Sequence, residues 1–117
     1  MRTIEAPTAE AYRTAFLALG PRMTETRRRL LRAHFNFWNH QATMTQISEA
    51  MGWASYSSGN AHYGKLAQLV GDEIGFHPGT CHLNVLATFR EPEEPGDHWL
   101  IMMRPQVADA LKLLRWT

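Results

Sequence analysis

The chain has 117 residues, with 12 Lys and Arg against 11 Asp and Glu for a formal charge of +1. That length predicts one domain and excludes a large multidomain enzyme, while 44% hydrophobic and 20% charged residues exclude a disordered tail. No apolar run nears the roughly 20 residues of a membrane helix, MRTIEAPTAEAY lacks a signal-peptide core, and the single Cys81 makes no intramolecular disulfide, so a cytoplasmic protein is expected.

A first helix is predicted over Thr8–Leu19, with Thr8 as cap, Tyr12, Ala15, Phe16 and Leu19 on one face, and Gly20-Pro21 as the stop. A second starts at the cap Thr24 and runs to about Trp38. Its Leu30, Leu31, His34, Phe35 and Trp38 share an apolar face, and Arg28, Arg29, Arg32 and Asn36 lie opposite. A short helix is predicted from about Thr43 or Thr45 to Met51, ended by Gly52, with Ile47, Ala50 and Met51 on its apolar side. A long one follows over Ser57–Ile74, in which Tyr63, Leu66, Ala67, Val70 and Ile74 cluster against an outer face of Ser57, Ser58, Ala61, Lys65, Gln68 and Asp72. Gly59, Gly64 and Gly71 cost helix stability, so each is expected to allow close packing or a bend. Residues 82–90 and 98–103 read as a β-hairpin around the tip EPEEPGD, and Pro105 opens a final helix with Val107, Ala108, Leu111 and Leu114 inward.

This order predicts an α+β, mainly helical, winged helix-turn-helix-like domain with one β-hairpin and a C-terminal helix. In that arrangement Ser57, Ser58, Ala61, Lys65 and Gln68 would face base edges in the major groove of double-stranded DNA. The charge is segregated: Arg22, Arg27, Arg28, Arg29 and Arg32 against Glu25 give +4, while Arg90 against Glu91, Glu93, Glu94 and Asp97 gives −3. Arg28, Arg29 and Arg32 are therefore the candidate phosphate contacts. Their alternatives are an ordinary solvated face or pairing with the acidic tip of the same molecule.

The stretch TMTQISEAMGWASYSSGNAHYGKLAQLVGDEIGF resembles a helix-turn-helix-type module of bacterial restriction-endonuclease proteins, where it accompanies an HNH nuclease domain. Gly52-Trp53, Tyr56, Asn60, Tyr63-Gly64-Lys65-Leu66 and the segment GDEIG carry the likeness, and WLIMMRPQVADALKLLRW is similar to the ending of small stand-alone relatives. The resemblance implies DNA recognition in a restriction, defence or mobile-element setting. The paired histidines of an HNH nuclease are missing, so cleavage is not carried over.

His77, Cys81 and His82, with His98 as a fourth, offer poor spacing for zinc, so neither a metal nor another cofactor is expected. Cys81 lacks an activating base on its own strand face, no small-molecule substrate is evident, and the protein is read as a non-enzyme. Asn60 reads as a buried amide fastening the turn, with base contact as the alternative. Tyr56, Tyr63 and His34 read as core, and the four tryptophans as core or rim. Leu69 and Leu113 are expected outward, where they would suit a protein partner or homodimer. A second function from a different class stays open: a protein-binding adaptor or inhibitor that uses the same fold without DNA.

Overall fold

The computed structural model describes residues 6–117. The fold is α+β, with five α-helices and a small three-stranded antiparallel sheet. Helices α1 (Ala9–Ala18) and α2 (Glu25–Asn36) begin where Thr8 and Thr24 accept hydrogen bonds from the backbone N–H of Ala11 and Arg27. Helix α3 (Met44–Ala50) starts with a reciprocal pair: Thr43 Oγ1 accepts from Gln46 N–H at 3.2 Å, and Gln46 Oε1 accepts from Thr43 N–H at 2.8 Å. Helix α4 (Tyr56–Ile74) ends at Gly75, whose φ of 74° lets both Gly75 and Phe76 N–H reach the carbonyl of Gly71. Helix α5 (Pro105–Leu114) opens on Pro105, whose missing N–H costs nothing in a first turn.

Strands β1 (Gln41–Ala42), β2 (Ala87–Arg90) and β3 (Leu100–Met103) are ordered β1-β3-β2. Ala42 and Phe89 both pair with Ile101, and Gln41 and Thr88 both pair with Met102. The pleat therefore turns Ala42, Ala87, Ile101 and Met103 into the core and Gln41, Thr88 and Met102 away from it.

Three expectations need correcting. The first arm of the hairpin does not begin at residue 82: His82–Val85 is a 3₁₀ turn, and β2 starts at Ala87. Two of its carbonyls accept from distant side chains instead of a ladder, and Leu83 O accepts from Leu86 N–H at 3.0 Å. Tyr12 Oη donates to Val85 O at 2.6 Å, and Arg104 donates to Asn84 O through Nε at 3.0 Å and Nη2 at 2.8 Å. The second arm is also shorter, starting at Leu100, and β1 makes the sheet three-stranded where two strands were predicted. Helix α2 stops at Asn36, so Trp38 leaves the apolar face and is 85% exposed. Behind it Asn39 and His40 both adopt positive φ, near 58° and 57°, and His40 Nδ1 bonds back to Phe35 O.

Buried residues from all five helices and the sheet join one core, in which α1 lies against α5 and α4. Phe16 of α1 stacks on Trp116 with ring centroids 6.0 Å apart. At the other side His34, fully buried, ties α2 to two elements. Its Nε2–H donates to Ile101 O of β3 at 3.0 Å, which leaves Nδ1 to accept from the Tyr63 hydroxyl of α4 at 2.7 Å. Burial pushes the His34 pKa down from 6.5 to about 4 and raises that of the Tyr63 hydroxyl. Burial likewise raises Tyr12 to about 12, against the pull of the Arg104 charge. Among the described residues no helix is long and apolar enough to cross a membrane.

Candidate nucleic-acid interface

The corner between α3 and α4 is set by small residues. Gly52, at φ 77°, turns the chain out of α3, and Trp53 N–H returns to Ser48 O at 2.9 Å. Four residues into α4, Gly59 is buried against α3. A Cβ there would overlap Ser48 Oγ and lie 2.7 Å from Met44 Sδ, so the two helices approach as closely as they do because residue 59 has no side chain. Gly71 has a comparable role near the other end of α4, where a Cβ would stand 2.8 Å from Phe76 O. Gly64 does not: nothing lies within 4 Å of the space a Cβ would take. Of the close packing or bend expected at each of the three glycines, close packing is found at Gly59 and Gly71.

Opposite the buried stripe of Tyr63, Leu66, Ala67 and Val70, α4 presents Ser57, Ala61 and Lys65 exposed, with Ser58 and Gln68 half-buried at its edges. Asn60 is exposed, so it is not the buried amide that its helical angle suggested. In the first turns of α4, Tyr56, Ser57, Asn60 and Ala61 are exposed while Gly59 is buried against α3. Tyr56 is 52% exposed, a correction to its reading as a core residue. Two aromatic pairs flank this end of the helix. Trp53 stacks on His62 at 4.4 Å between centroids, and Tyr56 leans on His98 of the β2–β3 loop at 6.1 Å. Nothing in the local sequence announces either pair, because each joins residues from separate elements.

The five arginines that make the basic stretch divide into two groups. Arg27 Nη1 donates to Arg22 O at 2.6 Å, and Arg22 pairs with Glu73 of α4 at 3.6 Å, so both are engaged inside the molecule. Arg28, Arg29 and Arg32 are exposed and form no ion pair among the described residues. Arg28 lies over the Trp116 ring, 4.5 Å from its centroid, which restricts a side chain that would otherwise be mobile. Arg29 and Arg32 line a groove of about 380 Å³ between α2 and the end of α3, floored by Ala33, Phe37 and Met51. None of the α4 candidates lines this groove, so the structure does not bring the arginines and the outer face of α4 into one pocket.

The acidic tip is well defined. Asp97 N–H bonds to Glu94 O at 3.2 Å across Pro95 and Gly96, the latter at φ 91°, the residues and geometry of a type II turn. Its carboxylates pair with no arginine of α2 in the same molecule. Elsewhere, His77 Nε2 lies 3.1 Å from Asp72 Oδ1, and the exposed Cys81 Sγ donates to Asn84 Oδ1 at 3.4 Å. Among the described residues no group of three His, Cys, Asp or Glu is placed to hold a metal ion. Leu113 is 53% exposed as expected, whereas Leu69 packs half-buried against the core. No protein-family model, curated protein or solved structure matches the chain.

Proposed function

We propose that this protein is a DNA-binding domain of the winged helix-turn-helix class, without catalytic activity of its own, acting in a restriction, defence or mobile-element setting. The observation that carries the reading is the outer face of α4. It joins short polar side chains and one cation on the exposed side of a helix whose other side is buried against the core. The element order supports it: α2, β1, α3, α4 and then a hairpin whose second strand lies between the other two. In this reading Lys65 and Gln68 contact guanine and adenine edges, and Ser57, Ser58 and Ala61 keep the helix surface low enough to enter the major groove. Gly64, with open space at its Cα, does the same. Arg28, Arg29 and Arg32 contact phosphates, and the acidic tip stays off the backbone.

A salt titration of binding to random and selected duplexes tests this. Replacing Arg28, Arg29 and Arg32 by Ala is expected to lower the slope of log affinity against log salt by about 2 to 3, close to one released counterion per lost phosphate contact. Lys65→Ala and Gln68→Ala are expected to reduce discrimination between duplexes by about 1–3 kcal/mol each. Absence of duplex binding at low salt overturns the reading. The acidic tip favours one second reading, a protein adaptor or inhibitor using electrostatic complementarity. Recovery of a stable protein partner free of nucleic acid would establish that alternative.

A further inference from the structure

We propose that the protein self-associates by seating the acidic turn of one copy in the Arg29–Arg32 groove of a second copy. The two surfaces match in charge. The groove carries two guanidinium groups and Asn36 at its sides over an apolar floor of Ala33, Phe37 and Met51. The turn carries three exposed acidic residues, Glu93, Glu94 and Asp97, next to Pro95 in the sequence, opposite in charge to the two arginines of the groove.

Among the described residues neither surface meets an opposite charge. The ion pairs formed among the described residues are Glu10–Arg13, Arg22–Glu73, Asp109–Lys112 and the contact of Asp72 with His77. Arg29, Arg32, Glu93, Glu94 and Asp97 take part in none of them. Intramolecular pairing, the alternative open from the sequence, is therefore not what the fold makes. The turn is also prepared for docking. Pro95 restricts one backbone angle and the Asp97–Glu94 hydrogen bond closes the loop, so little conformational freedom remains to be lost on binding. Phe37 and Met51 give the contact an apolar centre shielded by the charged pairs, the composition of an interface core with a polar rim.

Because Arg29 and Arg32 are also the proposed phosphate contacts, self-association and DNA binding would exclude one another at this surface. The acidic turn of the second copy would occupy the place of the phosphates, and free DNA would shift the equilibrium toward monomer. Self-association itself requires no DNA.

Sedimentation velocity of the full chain without nucleic acid tests the proposal, with Glu93→Arg/Glu94→Arg and Arg29→Glu/Arg32→Glu as charge-reversed variants. Wild type is expected to associate at low salt, with the dissociation constant rising at least about tenfold as salt shortens the screening length from about 10 Å to about 3 Å. Each variant alone is expected to be monomeric with an unchanged circular dichroism spectrum. An equimolar mixture of the two is expected to restore the associated species, since the charges again oppose. A wild type that stays monomeric at low salt overturns the proposal. So does association that survives both reversals, or a mixture of folded variants that stays monomeric. The DNA reading is separable: loss of wild-type duplex binding refutes that reading while leaving restored association in the mixture as support here.

Discussion

Replacing His34 by Gln isolates the link that holds α2 to α4 and to the sheet. In an unfolded chain this imidazole takes up a proton below about pH 6.5, but in the fold burial delays that uptake to about pH 4. Between those values the unfolded state binds more protons, so acid draws the equilibrium toward unfolding. The stabilisation is complete above pH 6.5 and is lost as pH falls through 4. At 1.36 kcal/mol per unit, the interval corresponds to about 3 kcal/mol, a large part of the 5–15 kcal/mol typical of a domain. Glutamine can still donate toward Ile101 O and accept from the Tyr63 hydroxyl, and it does not titrate. Urea unfolding at about pH 7, 6 and 5 should show wild type losing up to roughly 1.4 kcal/mol per pH unit beyond what the variant loses. Tyr63→Phe serves as a control: it leaves Nδ1 buried and unpaired and should cost about 1–3 kcal/mol at neutral pH. Parallel stability–pH curves for wild type and His34→Gln would refute this account of the ring.

The helix glycines give a paired prediction. Gly59→Ala should destabilise by about 1–3 kcal/mol because the buried Ser48 and Met44 side chains must shift, whereas Gly64→Ala should stabilise by up to about 1 kcal/mol, as in any open helix position. Thermal melts of the two variants decide it, and a shift of the same sign in both would refute the packing described at Gly59. The Ser48 hydroxyl is buried without a hydrogen-bond partner among the described residues, so Ser48→Ala should be neutral or stabilising by up to about 1 kcal/mol. A loss of more than about 1 kcal/mol in a chemical melt would show that the hydroxyl has a partner.

Much of the helical framework is legible because its signals are local. Thr8, Thr24 and Thr43 cap the helices that follow them, Gly75 ends α4, and Pro105 begins α5. The apolar stripe of α4 likewise predicts which of its residues point inward, and so defines the opposite face as the candidate surface. What escapes the sequence depends on partners far along the chain. Residues 82–85 have strand-like composition, but Tyr12 and Arg104 take the carbonyls that a strand would have given to a neighbour. The two residues of β1 are too few to show alternation, and they exist as a strand because Ile101 and Met102 lie beside them. Asn60 and Tyr56 fall at angles that face the core elsewhere in α4, yet at this end of the helix no element covers them. The helical angle does single out Arg28, Arg29 and Arg32 as the outward group, but the partners of the other two arginines escape it, since Glu73 and the Arg22 carbonyl are brought within reach only by the fold.

The strand made last sits in the middle of the sheet, and this has a bearing on how the molecule is assembled. Until residues 100–103 arrive, β1 and β2 have no neighbour to bond, and the Nε2–H of His34 has no acceptor. Helix α5 then closes over α1, so the earliest helix described waits for the latest. Pairings of such long sequence separation are slow to form and, once formed, are lost together. Amide protons in β1, at the edge of the sheet and only two residues long, should therefore exchange with those of β3 in one cooperative opening, where an isolated edge would fray by itself.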